Sequence, residues 1–295
     1  MYVGIEAGGT KFVCAAGTGP DDLTDVTRFP TTSPRETLDR ACAFVADHTD
    51  GLQGIGVASF GPVDLGQSSD TYGFITSTPK PGWGDTDVLG PLRTVAEVPI
   101  GFDTDVNGAA LAESRWGAAA DVASCVYVTV GTGIGGGGMI DGQLIHGLLH
   151  PEMGHLHVAR HPDDRFAGRC PFHGDCLEGM AAGPAIEDRW GRPGQELTGA
   201  QLAQAVDIEA DYLAQLATAM TYILSPERLI LGGGVLQLDG LLEAVRTQVV
   251  DRLNGYLTVP EITGHVDRYV VRPALGDHAG VLGAIALADR AAADA

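Results

Sequence analysis

The chain has 295 residues, about twice the commonest domain size of ~100–150 residues, so two domains or one large α/β unit are expected. Hydrophobic residues make up 44% and charged residues 19%, an ordinary globular composition that excludes a disordered chain. Asp and Glu number 38 against 18 Lys and Arg, a net charge of −20; such a surface repels phosphate backbones and argues against nucleic-acid binding, although solubility alone also accounts for it.

Residues 2–17 read as two short strands, Tyr2-Val3-Gly4-Ile5 and Lys11-Phe12-Val13-Cys14, about a glycine turn at Gly8-Gly9-Thr10. A third strand follows near residues 26–29. Pro34 opens a helix whose apolar Leu38, Ala41, Cys42 and Val45 recur at helical spacing. A strand at 54–58 leads into a glycine- and proline-rich stretch over 60–83, then a strand at 99–103 and a helix at 106–116. This β-β-β-α-β-α order begins with antiparallel pairing, unlike a βαβ dinucleotide unit. The pattern then recurs: a strand at 124–130, a turn at Gly131-Thr132-Gly133, and a strand beginning at Gly138-Met139-Ile140. Strand, Gly-Thr turn, strand thus occurs twice, about 120 residues apart, which predicts a duplicated core with two facing glycine hairpins. A long helix at 200–224, a strand at 229–231, a helix at 239–253, a strand at 269–271 and an Ala-rich helix at 278–292 complete the chain, with no linker between modules.

No basic n-region precedes Glu6 and no apolar run approaches the ~20 residues of a membrane helix, so no signal peptide, no membrane partner and a cytoplasmic location are expected. Cys14, Cys42 and Cys125 lie in apolar stretches and read as buried free thiols.

Gly131-Thr132-Gly133-Ile134-Gly135-Gly136 fits the dinucleotide fingerprint G-x-G-x-x-G, but β-like residues follow where that fingerprint requires a helix. What remains are glycine turns whose backbone N–H groups can approach an anion. Either turn alone would pass as a plain hairpin. Two with Thr hydroxyls, plus Gly232-Gly233-Gly234, favour a nucleoside triphosphate cradled at several points. Asp103-Thr104-Asp105-Val106-Asn107 closes a strand and opens a helix. An acid there is either a helix N-cap or a general base at a cleft, and spacing alone leaves both readings open.

Cys170-Pro171-Phe172-His173-Gly174-Asp175-Cys176 sets two thiols and an imidazole at turn-compatible spacing, suited to tetrahedral zinc. A fourth ligand is available among His146, His150, His155, His157 and His161. If zinc draws His155 to this loop, Glu152 and Glu178 converge beside it, and carboxylates with an imidazole suit sugar hydroxyls. The competing reading is two solvated acids and free thiols.

Taken together, these segments resemble the sugar kinases of the ROK family, and most of all its bacterial fructokinase branch, from Met1 to the final helix. Glu6-Ala7-Gly8-Gly9-Thr10-Lys11 resembles the first phosphate loop, Gly56–Asp64 the segment under the sugar, and Thr78-Pro79-Lys80-Pro81-Gly82-Trp83 the branch's Gly-Trp loop. Asp103–Ala110 resembles the catalytic strand-to-helix turn, Gly131-Thr132-Gly133 the second phosphate loop, and Gly232-Gly233-Gly234-Val235 the adenosine loop.

The resemblance implies an α/β, actin-like (ribonuclease H-like) duplicated ATPase fold with its active site between two lobes. Residues 1–116, completed by about 279–295, would form the small lobe and 117–278 the large one. It implies ATP-dependent phosphorylation of a hexose, fructose above all, with Asp105 as catalytic base. Gly8, Gly9, Thr10, Lys11, Thr132, Gly133, Gly232, Gly233 and Gly234 would bind ATP. Gly82, Trp83, Thr104, Asp105, Glu152, His155 and Glu178 would face the sugar. His155, Cys170, His173 and Cys176 would hold a structural zinc, Mg²⁺ would accompany ATP, and the chain would form a homodimer. Glu6 stands where many members carry Asp. Thr104 stands where glucose-specific members carry Asn, and Cys-x2-His replaces their Cys-x-Cys; both fit the fructokinase branch. The alternatives are a kinase for mannose, glucose or an acylamino sugar, and a sugar-responsive regulator. The DNA-binding members carry a helix-turn-helix before the first phosphate loop, where this chain begins its first strand.

Overall fold

The protein is described by a computed structural model of residues 1–295. Its first half runs β1 (Tyr2–Ala7), β2 (Lys11–Gly17), β3 (Thr24–Pro30), α1 (Pro34–Ala46), β4 (Gly54–Ser59), the small hairpin β5 (Phe74–Ile75) and β6 (Thr86–Asp87), α2 (Leu89–Arg93), β7 (Ile100–Thr104) and α3 (Asp105–Trp116). The second half runs β8 (Cys125–Val130), β9 (Ile134–Ile140), β10 (Gln143–Leu144), α4 (Leu177–Ala181), α5 (Gly183–Trp190), α6 (Gly199–Leu224), β11 (Arg228–Gly232), α7 (Leu241–Leu253), α8 (Pro260–Thr263), α9 (Val266–Tyr269), β12 (Val270–Val271) and α10 (Ala279–Ala293).

Two five-stranded sheets result, ordered β3-β2-β1-β4-β7 and β10-β9-β8-β11-β12. Counted within each half, both orders are third, second, first, fourth, fifth. In each, the first two strands form an antiparallel hairpin and the last three lie parallel. The duplication expected from the repeated strand–turn–strand pattern is therefore present in topology. β4 is buried along its whole length, as a parallel strand covered on both faces must be.

Helices α10 and α3 lie between the sheets, α10 against β1, β4 and β7, and α3 against β8 and β9. Sequence explains the closeness. Gly4, Gly56 and Gly101 stand side by side in register across β1, β4 and β7. A Cβ at these positions would lie 2.7, 1.7 and 2.2 Å from backbone oxygens of α10. The two helices themselves touch backbone to backbone at Gly108 and Gly283, where a Cβ on Gly283 would sit 2.2 Å from Gly108. Outside this middle, α1 and α2 cover the first sheet around Leu38, Phe44 and Leu92, and α6 and α7 cover the second around Leu213, Leu216 and Val249.

Two local expectations change. The strand after the second turn starts at Ile134, not Gly138, because the glycine run 135–138 is itself strand β9. It is glycine-rich because it lies flat on α3: a Cβ at Gly137 would fall 2.4 Å from the Asn107 side-chain oxygen. The short helices α4 and α5 were not anticipated, since Gly179, Gly183 and Pro184 break any apolar period there.

Candidate active site

Asp105 is the first residue of α3, at the end of β7. The N-cap is its neighbour Thr104, whose hydroxyl accepts the Asn107 N–H at 3.1 Å. This relieves Asp105 of the capping role that the sequence left open. Thr104 itself is buried and engaged in the cap, so its side chain supports the turn. Burial pushes the Asp105 carboxyl up to about 7, and the charges of Glu6 and Glu152 push it the same way, while the Val106 N–H at 2.9 Å opposes them. Glu6 comes from β1, Asp105 from the β7–α3 junction, and Glu152 from the segment before a 3₁₀ turn at Met153–His155. The charges of Glu6 and Glu152 both act on Asp105, so acids from three distant segments share one neighbourhood.

Glu6 is itself raised, mainly by burial, with Lys11 opposing. Its Oε2 is buried without a hydrogen-bond partner. Glu152 is raised by burial, opposed by His150 and His155, and raised further by Glu178. Glu178, in α4, is tied to the second glycine turn: its Oε2 accepts the Ile134 N–H at 2.9 Å. That oxygen sits 2.6 Å from where a Cβ on Gly133 would be, so a side chain there would displace the Glu178 carboxylate.

Each of the three glycine segments is fixed by local contacts. In the first, the Gly8 N–H donates to Lys11 O at 3.1 Å, and Thr10 and Lys11 are exposed at the tip. In the second, Gly131 N–H donates to Gly133 O and Gly183 N–H to Gly131 O, both at 2.8 Å, which fastens the turn to the start of α5. In the third, Gly233 has φ +92°, and a Cβ there would fall 2.4 Å from Val130 O, so no side chain is tolerated. A cavity of about 410 Å³ joins the second and third segments, lined by Thr132, Pro184, Glu187, Gln195 and Gly234 among others. Its size suits a nucleoside. A smaller one of about 190 Å³ continues from Thr132 past Glu178 to Arg169 and Cys170. Glu187, on α5, and Gln195, in the 3₁₀ turn at Gly194–Glu196, carry no local pattern that marks them in the sequence.

The four expected metal ligands converge. One donor atom each from His155, Cys170, His173 and Cys176 lies within 4.8 Å of the others. His155 Nδ1 is 3.5 Å from Cys176 Sγ and 4.0 Å from Cys170 Sγ, and His173 Nδ1 is 3.6 Å from Cys170 Sγ. Tetrahedral zinc with its usual bond lengths asks for ligand separations of about 3.4–3.8 Å. Burial pushes the Cys176 thiol up to about 11, and the Cys170 sulfur beside it acts in the same direction. A cation bound beside Cys176 would favour its thiolate form. His155 turns Nδ1 to the cluster, which leaves Nε2 for another partner.

Trp83 departs from expectation. It is wholly buried, its indole N–H donates to Thr32 O at 2.8 Å, and its ring packs on Phe12 and Phe60. It presents no face to a sugar and instead braces the loop; Gly82 beside it has φ +79° and open space around it. Two further features were not read from sequence. Asp103 is buried, accepts from Asn107 Nδ2 at 2.8 Å and pairs with His146 at 2.7 Å. His150, also buried, accepts the Val63 N–H at 3.0 Å and so ties the segment before Glu152 to the first half.

No helix is long and apolar enough to cross a membrane. The model of the ROK family matches residues 2–291. The chain is 47% identical over 293 residues to a fructokinase of Zymomonas mobilis, covering 98% of this chain and 96% of that one. It is 43% identical over 297 residues to a fructokinase of Streptococcus mutans, covering 99% of each. Among solved structures, a ROK hexokinase from Thermus thermophilus superposes with a TM-score of 0.79 at 28% identity, over 100% of this chain and 99% of that one. With its duplicated sheets, glycine turns and acid cluster in place, the chain belongs to the ROK family.

Proposed function

We propose that the protein transfers the terminal phosphoryl group of ATP to the 6-hydroxyl of D-fructose, with Asp105 as general base. The observation that carries the chemistry is the position of Asp105: a carboxyl held near pH 7 at a helix start, among Glu6 and Glu152. A base works best when its pKa lies near the working pH. The choice of fructose rests on the two fructokinases at 47% and 43% identity.

In this reading the nucleoside occupies the cavity lined by Thr132, Pro184 and Gly234, and the phosphates run toward the turns at Gly8–Lys11 and Gly131–Gly133. Backbone N–H groups and the Thr10 and Thr132 hydroxyls stabilise charge on the transferred phosphoryl oxygens. Glu152, Glu178 and the free nitrogen of His155 hold sugar hydroxyls. Asp105 takes the proton as the alcohol oxygen attacks, and ADP leaves. Closure of the halves excludes water, the competing acceptor.

The unpartnered Glu6 Oε2 fits a role beside Mg²⁺, which would neutralise phosphate charge. The donor set and separations at His155, Cys170, His173 and Cys176 fit zinc, which would order the loop carrying Glu178 and fix the His155 ring.

ATP consumption against a panel of hexoses, with the product located by NMR, tests the reading. Fructose is expected to give the highest kcat/KM and a 6-phosphate product. Preference for mannose, glucose or an acylamino sugar would replace the substrate, and no sugar-dependent turnover would end the kinase reading.

A further inference from the structure

The chain leaves the first half for the second through residues 117–124, between α3 and β8, and returns through residues 272–278, between β12 and α10. Both crossings meet at one side chain. Glu113, in the last turn of α3, is wholly buried. Its Oε2 accepts the N–H of Ala118 at 2.6 Å and of Ala274 at 3.0 Å, and its Oε1 accepts the N–H of Leu275 at 3.0 Å. Its own carbonyl receives the N–H groups of Gly117 and Ala119. A residue serving only to end its helix would satisfy groups of that helix; Glu113 also reaches donors 161 and 162 residues away.

The crossings it joins lead directly into the site. α3 begins with Asp105 at its far end. α10 begins beside Glu6, where a Cβ on Gly280 would fall 2.3 Å from the Glu6 carboxyl carbon. Gly276, next after Leu275, has φ +54°, a backbone state that glycine adopts freely, with open space around it. Such a residue beside a clamped one can absorb a change in backbone angle.

We propose that Glu113 is a positioning residue for phosphoryl transfer: it clamps the outgoing and returning crossings into a single hinge, so that the two halves close as one rotation and bring the Gly131–Gly133 turn into register with Asp105. This rests on the kinase reading above. A carboxylate is the group suited to the place. It offers acceptors only, whereas Gln would turn an NH₂ toward peptide N–H groups.

The test compares Glu113→Gln with Val249→Ala, a buried position of α7 in the second half that lowers stability without touching either crossing. Wild-type turnover is measured first, so that failure of the kinase reading is seen separately. In Glu113→Gln, kcat is expected to fall roughly 2- to 30-fold with the fructose KM changed less than about 2-fold, the scale of mutations that alter coupling between sites. ADP release should outrun sugar phosphate formation, and the compaction on adding fructose with a non-hydrolysable ATP analogue, seen by small-angle scattering, should shrink. Val249→Ala should lose thermal stability yet keep transfer coupled. Equal behaviour of the two variants at matched loss of Tm overturns the proposal. Should Glu113→Gln fail to fold, hydrogen exchange on the wild type decides: the amides of Ala118, Ala274 and Leu275 should stay protected with and without ligands, and free exchange of any of them in the unliganded protein overturns it.

Discussion

Replacing Asp105 by Asn should damage catalysis and strengthen the fold at the same time. The carboxyl is pushed from 3.8 to about 7 by burial and by Glu6 and Glu152. Between these values the folded chain holds a proton that the unfolded chain has lost. Stability therefore falls as pH rises through that window, and the deficit is complete above about 7. Full use of the shift would be about 4 kcal/mol; the side chain is partly exposed, so about 2 kcal/mol is the fairer figure. Asn carries no charge and escapes the penalty. At roughly 2–4 °C per kcal/mol, Tm at pH 8 should rise by about 4–8 °C, and the gain should vanish near pH 4. Turnover should fall by ~10²–10⁴, the worth of a general base, while sugar still binds. Thermal scans at pH 8 and pH 4, with a coupled ADP assay at pH 8, measure both effects. A variant with near-normal turnover removes Asp105 from the role of base; one with unchanged Tm at both pH values removes the crowded carboxylate.

The same group sets the pH profile: kcat/KM should climb with pH and reach half its plateau near 7, and a flat profile from about 5.5 to 8.5 would contradict the assignment. Elemental analysis should find about one zinc per chain, and Cys176→Ser should release it and raise the fructose KM; wild-type protein free of zinc would end that reading. Gly133→Ala should push Glu178 Oε2 off the Ile134 N–H, lowering kcat/KM by about 10- to 100-fold, and unchanged kinetics would show that the turn tolerates the shift. Trp83→Phe should cost about 1–3 kcal/mol of stability through the lost bond to Thr32 and the lost volume, with little effect on the fructose KM. A large rise in KM without loss of Tm would restore Trp83 to the sugar.

What could be read from the sequence was what is local. Gly-Thr turns between β-like segments reveal hairpins because few residues other than glycine fit them, and Cys-x2-His-x2-Cys marks a cluster of candidate metal ligands because thiols and imidazole at that spacing can converge by a turn alone. Asp105 was legible as a strand-end acid, but not as a base over a cap, because the answer lay in the hydroxyl of Thr104. Long-range partners were not legible. Trp83 is expected to face the sugar on resemblance alone, and tertiary packing against Phe12 and Phe60, which no local pattern announces, buries it. The same holds within the second half, where Arg189 of α5 bridges Asp164 and Glu209 at 3.0 and 2.9 Å across segments with no shared pattern. Glu113 carries no local signal of its role, since the donors it holds at Ala274 and Leu275 lie across the molecule.

In the proposed reaction a carboxylate from the β7–α3 junction and a phosphate held over two glycine turns meet at one sugar alcohol. A crystal structure with fructose and a non-hydrolysable ATP analogue measures this directly. A carboxylate oxygen of Asp105 is expected at hydrogen-bond distance, about 2.6–3.2 Å, from the 6-hydroxyl, with the terminal phosphate facing that hydroxyl from the Gly131–Gly133 side. A bound sugar with no hydroxyl in reach of Asp105 would contradict it.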